Sequence, residues 1–160
     1  MPPVNADLNL DLTRALADHG FCEVADTSGI PGVTLLLKRQ TWNTNRAVVV
    51  VALDQPPTDM HAYLCELRRQ VAFRCGFFPF FWGIGIQVVL VVPGVLQSGI
   101  NPSLHVAQVD NQWAIIQSLF LADPMSQAFR SGRTWGQFVT GKFQDAISEV
   151  LAQRFEPFSQ

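Results

Sequence analysis

Charged side chains are scarce in this chain. They make up 15% of its 160 residues, against roughly a quarter in an ordinary soluble domain. The few present nearly cancel, to a net charge of −2. That excludes a general attraction to nucleic acid or to an anionic lipid surface, so any basic site must be local. Cysteine is almost missing too. Cys22, Cys65 and Cys75 have no C-x-x-C spacing and cannot all pair, which argues against a disulfide scaffold and for a reducing, cytoplasmic setting. Met1-Pro2-Pro3-Val4-Asn5-Ala6-Asp7 has neither the basic nor the apolar part of a secretory signal. There is no internal repeat, linker or low-complexity tract, and residues 1–160 read as a single globular domain, long enough to bury a sizeable core.

Catalytic signatures are also lacking. The chain has no Gly-x-Ser-x-Gly elbow, no P-loop, and no Gly-x-Gly-x-x-Gly following a strand. The glycines of Trp82-Gly83-Ile84-Gly85-Ile86 lead into a strand rather than a helix. His61 and Cys65 are spaced to share one helix face, but zinc takes at least three protein ligands. No spacing ties in His19, Cys22 or His105, so neither a metal nor a cofactor is expected. Asp54, Asp59 and His61 fall close together and read as a helix start with a solvated histidine. Ser98, Ser103 and His105 read as loop residues.

What the chain does have is apolar residues, 48% of the total. They are densest from Phe77 to Pro93. No charge occurs from Cys75 to Leu96, which meets the length of a membrane span. Pro79, Gly83, Gly85, Pro93 and Gly94, with the Val/Ile-rich second half, favour turns and a strand instead. The stretch therefore divides into a strand, Ile84–Val92, and an aromatic segment before it: Phe77, Phe78, Phe80, Phe81 and Trp82.

Read in order, Leu8, Leu12, Ala15 and Leu16 give an amphipathic helix over about 6–19, with Asn5 as its cap and Gly20 as its stop. Phe21–Asp26, Val33–Arg39 and Arg46–Asp54 form an antiparallel meander. The run Ala47–Leu53 is apolar throughout, as expected of a strand covered on both faces. Pro56-Pro57 breaks the chain and Thr58 caps a helix to about Arg74, striped by Met60, Leu64, Leu67 and Val71. Two doubly buried strands joined by that helix should be parallel. Leu104–Val109 and Trp113–Ala122 are expected to pair as a hairpin, and Ser126–Ser131 to make a helical turn. Thr134-Trp135-Gly136-Gln137 is a capping box for a last helix to about Arg154, striped by Phe143, Ile147, Val150 and Leu151 among others. The expected class is α/β, with a mixed sheet: an antiparallel meander, a crossover helix, a parallel central strand, and a C-terminal hairpin and helix.

That order resembles the restriction-endonuclease-like core over about the first 92 residues. The resemblance implies metal-holding acids in the second and third strands. Here those strands read Val33-Thr34-Leu35-Leu36-Leu37-Lys38-Arg39 and Ala47-Val48-Val49-Val50-Val51-Ala52-Leu53-Asp54, without the acidic residues of the pattern. At most the resemblance implies an inactive nuclease-like fold that keeps nucleic-acid binding. Lys38, Arg39, Trp42 and Arg46 would be its residues, although nucleic acid is not the expected partner of a net-acidic chain.

Two functional readings remain. The aromatic residues Phe77, Phe78, Phe80, Phe81 and Trp82 suit a protein interface. They make the chain a non-enzymatic interaction or scaffold protein that self-associates or docks on a protein partner, with a peripheral membrane contact as a variant. The alternative is an anion-binding domain or enzyme at Arg130-Ser131-Gly132-Arg133-Thr134-Trp135. Arg130, Arg133, Thr134 and Trp135 would there meet a phosphate or carboxylate at a helix start.

Overall fold

The computed structural model describes residues 4–42, 44–76, 83–108, 114–133 and 137–158. Among them the chain forms a seven-stranded mixed sheet with four α-helices. Helix α1 (Val4–Ala17) leads into β1 (Cys22–Glu23), β2 (Val33–Gln40) and β3 (Asn45–Ala52), an antiparallel meander. Helix α2 (Met60–Arg74) crosses to β4 (Ile84–Val91), parallel to β3. Helix α3 (Pro102–Gln108) precedes β5 (Ala114–Asp123), parallel to β4, and β6 (Ala128–Arg133) returns antiparallel beside it. Helix α4 (Gln137–Ala152) then leads to β7 (Glu156–Pro157). Spatial order equals chain order, so each strand is laid down against its predecessor.

Side chains alternate across the sheet, and the two faces carry separate cores. On one face Ala47, Val49, Val51, Ile86, Val88, Leu90, Leu119 and Leu121 meet Met60, Leu64, Leu67 and Val71 of α2 and Val106 of α3. On the other, Leu35, Leu37, Val48, Val50, Val89, Val91 and Phe120 meet Leu8, Leu12 and Leu16 of α1 and Ile147, Val150 and Leu151 of α4. Every residue of β4 is buried, as its unbroken apolar run requires. No helix among the described residues is long and apolar enough to cross a membrane.

Four expectations are corrected. The segment around Leu104 is helix α3, not a strand. Asn101 Oδ1 accepts from the Ser103 amide (3.1 Å), and Pro102 takes the first helical position, a start that needs no proline N–H. The hairpin is instead β5–β6. The stretch Ser126–Ser131, expected as a helical turn, mostly enters strand β6. The turn ahead of it is set by the Asp123 carboxylate, which accepts from the Met125 amide (2.9 Å). The residue capping α2 is Asp59 rather than Thr58, its carboxylate accepting from the Ala62 amide at 2.9 Å. At the first helix, α1 begins at Val4, so Asn5 lies inside it.

Candidate functional site

Two of the residues expected to bind an anion together, Arg130 and Arg133, face apart. Arg130 and Arg133 lie on β6, not at the head of a helix. Arg133 pairs with Ser118 and Arg130 with Leu121, and Leu121 belongs to the α2/α3 core. By alternation Arg130 faces the α2/α3 side and Arg133 the α1/α4 side. Thr134 and Trp135 lie outside the described residues, as do Phe77, Phe78, Phe80, Phe81 and Trp82. Asp54 follows the far end of β3. Roughly 20 Å of strand separates it from the level of Arg133, so these two do not share a site. Asp59 caps α2. His61 Nε2 and Cys65 Sγ do approach to 3.7 Å. No cluster of three or more metal-ligating residues occurs among the described residues. Ser98 Oγ donates to the Val95 carbonyl (2.6 Å), a local loop contact.

Arg133 instead joins a polar row that crosses the α1/α4 face where β3 and β4 begin. Arg39 on β2 sits directly opposite Arg46 on β3, and Arg46 opposite Gly85 on β4. Between β4 and β5 the register slips at Ile86/Gln87, and Gln117 is the extra residue. Its side chain lies over Gly85, where a Cβ would come within 2.4 Å of Gln117 Oε1. Glycine at 85 is what leaves room for that amide. Arg46 donates to Gln117 Oε1 at 3.3 Å. Deeper in, Ser118 Oγ donates to Gln87 Oε1 (3.2 Å), both residues being buried.

Helix α4 roofs this row. The Phe143 ring lies 5.3 Å from the Arg39 guanidinium carbon and 5.5 Å from that of Arg46. Phe21 and His19 meet the ring edge-on, at 5.2 and 5.4 Å. Asp145 reaches the other way, to Arg133 at 3.8 Å. Successive helical residues are about 100° apart, so Gln144 projects between the directions of these two, toward the sheet. Its burial is complete and it shares a stripe with Ile147 and Leu151. Neither its Nε2 nor its Oε1 has a hydrogen-bond partner. Such groups are rare in native structures and call for an explanation.

The electrostatics are one-sided. Arg39 and Arg46 are both half-buried and form no ion pair with a carboxylate among the described residues. Like charges directly opposite on neighbouring strands oppose folding. Burial, and then the Arg39 charge, push the Arg46 guanidinium below its ordinary value. The Phe143 face offsets part of that cost. Chemically, this is a pair of forked donors beside one ring, groups of the kind that take a phosphate or carboxylate bidentately.

Arg39 and Arg46 were legible in the sequence only as a basic hairpin, with Lys38 and Trp42. Lys38 follows the other face, where its charge acts on Cys75, and Trp42 is 87% exposed. Gly85, Gln117 and Gln144 were missed. A polar residue inside an apolar helical stripe was the available signal for Gln144. Nothing in the sequence announced the register slip that exposes Gln117. Comparison with family models, curated proteins and solved structures finds no match to this chain.

Proposed function

We propose that this chain binds a small anionic ligand through Arg39 and Arg46, in a cytoplasmic setting. One observation carries the reading: two half-buried guanidinium groups oppose one another across β2 and β3, flank one aromatic ring, and have no carboxylate partner among the described residues. A dianion between them would relieve their repulsion, and Gln117, already bonded to Arg46, stands beside it. Thermal shift with inorganic phosphate tests this, because a ligand specific to the native state raises the melting temperature. The shift should be lost in Arg39→Met and Arg46→Met. A flat response in the wild type would remove the proposal.

A second reading has support of its own. Docking on a protein partner, or self-association, through Phe77–Trp82 is favoured by the exposure of Trp42 (87%) and Phe73 (82%). Trp42 lies in the loop before β3, and Phe73 in the last turn of α2, which leads toward the start of β4. Both therefore belong to the end of the sheet that Phe77–Trp82 feeds. Replacing Phe80, Phe81 and Trp82 by Ser should dissociate the dimer or partner without unfolding the domain. Loss of folding would assign the segment to the core instead.

A further inference from the structure

We infer that the ligand has two parts: a phosphate held by Arg39 and Arg46, and an uncharged group bearing a hydroxyl or amide that hydrogen-bonds to Gln144. This rests on the anion-binding reading above. It adds the chemical class of the ligand, a small polar phosphomonoester, and names Gln144 as the residue that reads its neutral end.

The argument starts from what Gln144 costs. A primary amide carries two donors and one acceptor with two lone pairs. Buried with neither end bonded, it is a liability that Leu or Met at the same position would not incur. Among the described side chains the inward stripe of α4 is otherwise apolar, with Ile147, Val150 and Leu151, so packing does not require a polar residue at 144. The amide lies on the inward side of α4, over a face that also carries the Ser118–Gln87 and Gln117–Arg46 hydrogen bonds. Phe143, its neighbour in the chain, touches both guanidinium groups. A ligand anchored at the arginines therefore extends beneath α4 toward Gln144. The charge there is already matched by the arginines, so the group meeting the amide is neutral. Having both a free donor and a free acceptor, the amide complements a group that offers the same. Hydroxyls do so, and so do amides and the edge of a nucleobase.

Phosphate is favoured over a single carboxylate by charge. Two arginines that repel each other are balanced by one dianion, and their planar forks match its oxygens. A sugar or polyol phosphate and a nucleoside monophosphate share this chemistry. Calorimetric titration of the full chain with inorganic phosphate, glycerol phosphate, ribose phosphate and adenosine monophosphate separates them.

The expected result is that at least one ester binds more tightly than inorganic phosphate. In Gln144→Met that advantage should fall roughly tenfold, the equivalent of one or two hydrogen bonds, while inorganic phosphate binds unchanged. A merely structural Gln144 would leave the ratio of ester to phosphate affinity where it was, and that result overturns the inference while leaving the anion site intact. Equal binding of all four probes in the wild type does the same. Failure of inorganic phosphate and of every ester to bind the wild type overturns the anion site itself. Gln144→Leu serves as the second variant if the Met protein does not fold. Circular dichroism and the melting temperature, expected to rise in either variant, show that the native state is retained.

Discussion

The two ends of the polar and apolar strand β5 bury hydrogen-bonding groups in opposite ways. At its C-terminal end Asp123 is fully buried and fully engaged. Its Oδ1 accepts from the Gly94 and Met125 amides, each at 2.9 Å, and Ser126 adds side-chain and backbone hydrogen bonds. Gln97, with its amide nitrogen turned inward, donates to Oδ2 at 2.8 Å. Near the other end, beside Gln117 and Ser118, two arginines repel one another and the Gln144 amide has no partner. The first cluster is complete without anything added and accounts for the turn after β4 and the β5–β6 hairpin. The second is complete only if something else supplies charge and hydrogen bonds. A satisfied buried polar group explains a fold, whereas an unsatisfied one calls for a further explanation.

The contrast can be broken most severely at Asp123. Asp123→Ala leaves the Gly94 and Met125 turn amides without their charged acceptor and should cost about 3 kcal/mol of stability, read from chemical denaturation. A loss below about 1 kcal/mol would mean that the cluster does not hold those turns. Its pH dependence follows in sign. Burial alone would raise the Asp123 carboxyl, but the hydrogen bonds from Gly94, Met125 and Ser126 outweigh it and hold the group below its ordinary value. Its stabilisation is thus full above the unfolded carboxylate range and is lost as pH falls through the lower, folded value. Wild-type stability should drop below about pH 4, and Asp123→Asn should flatten that part of the profile.

Next in size is a pair of glycines. A Cβ at Gly132 would lie 2.2 Å from the Ser103 amide nitrogen and 2.4 Å from the Pro102 carbonyl carbon, both backbone atoms. Gly132→Ala must push α3 off the sheet and should cost about 2 kcal/mol or more. At Gly85 the obstacle is the end of one flexible side chain, Gln117. Gly85→Ala should alter stability by less than about 1 kcal/mol, yet turn Gln117 away from Arg46 and weaken phosphate binding in a titration. Equal effects at the two glycines would contradict the separation of fold from site.

Smallest, and opposite in sign to Asp123, is Arg46→Met. Removing one of two facing, half-buried charges should leave the melting temperature unchanged or raise stability by up to about 1 kcal/mol, while phosphate no longer shifts it. A clear destabilisation would show that the arginine serves the fold.

Most of the architecture was readable because periodicity reports burial directly. Leu8, Leu12 and Leu16, then Met60, Leu64, Leu67 and Val71, could face only a core, and all are buried. The run Ala47–Val51 announced a strand covered twice. Where reading failed, an alternative local pattern competed. Leu104 and Val106 alternate like a strand, but Asn101 and Pro102 start a helix there, leaving Leu104 60% exposed and Val106 buried. Arg130 and Arg133 looked like neighbours at a helix start, and the pleat of β6 sends them to opposite faces.

The sequence by itself determined the elements and their inward stripes, because each depends on the spacing of residues within one segment. Pairing, register and the meeting of faces depend on residues far apart in the chain. Only the tertiary structure therefore decided that Arg39 faces Arg46, that a slipped register lays Gln117 over Gly85, and that α4 buries Gln144 over the same face.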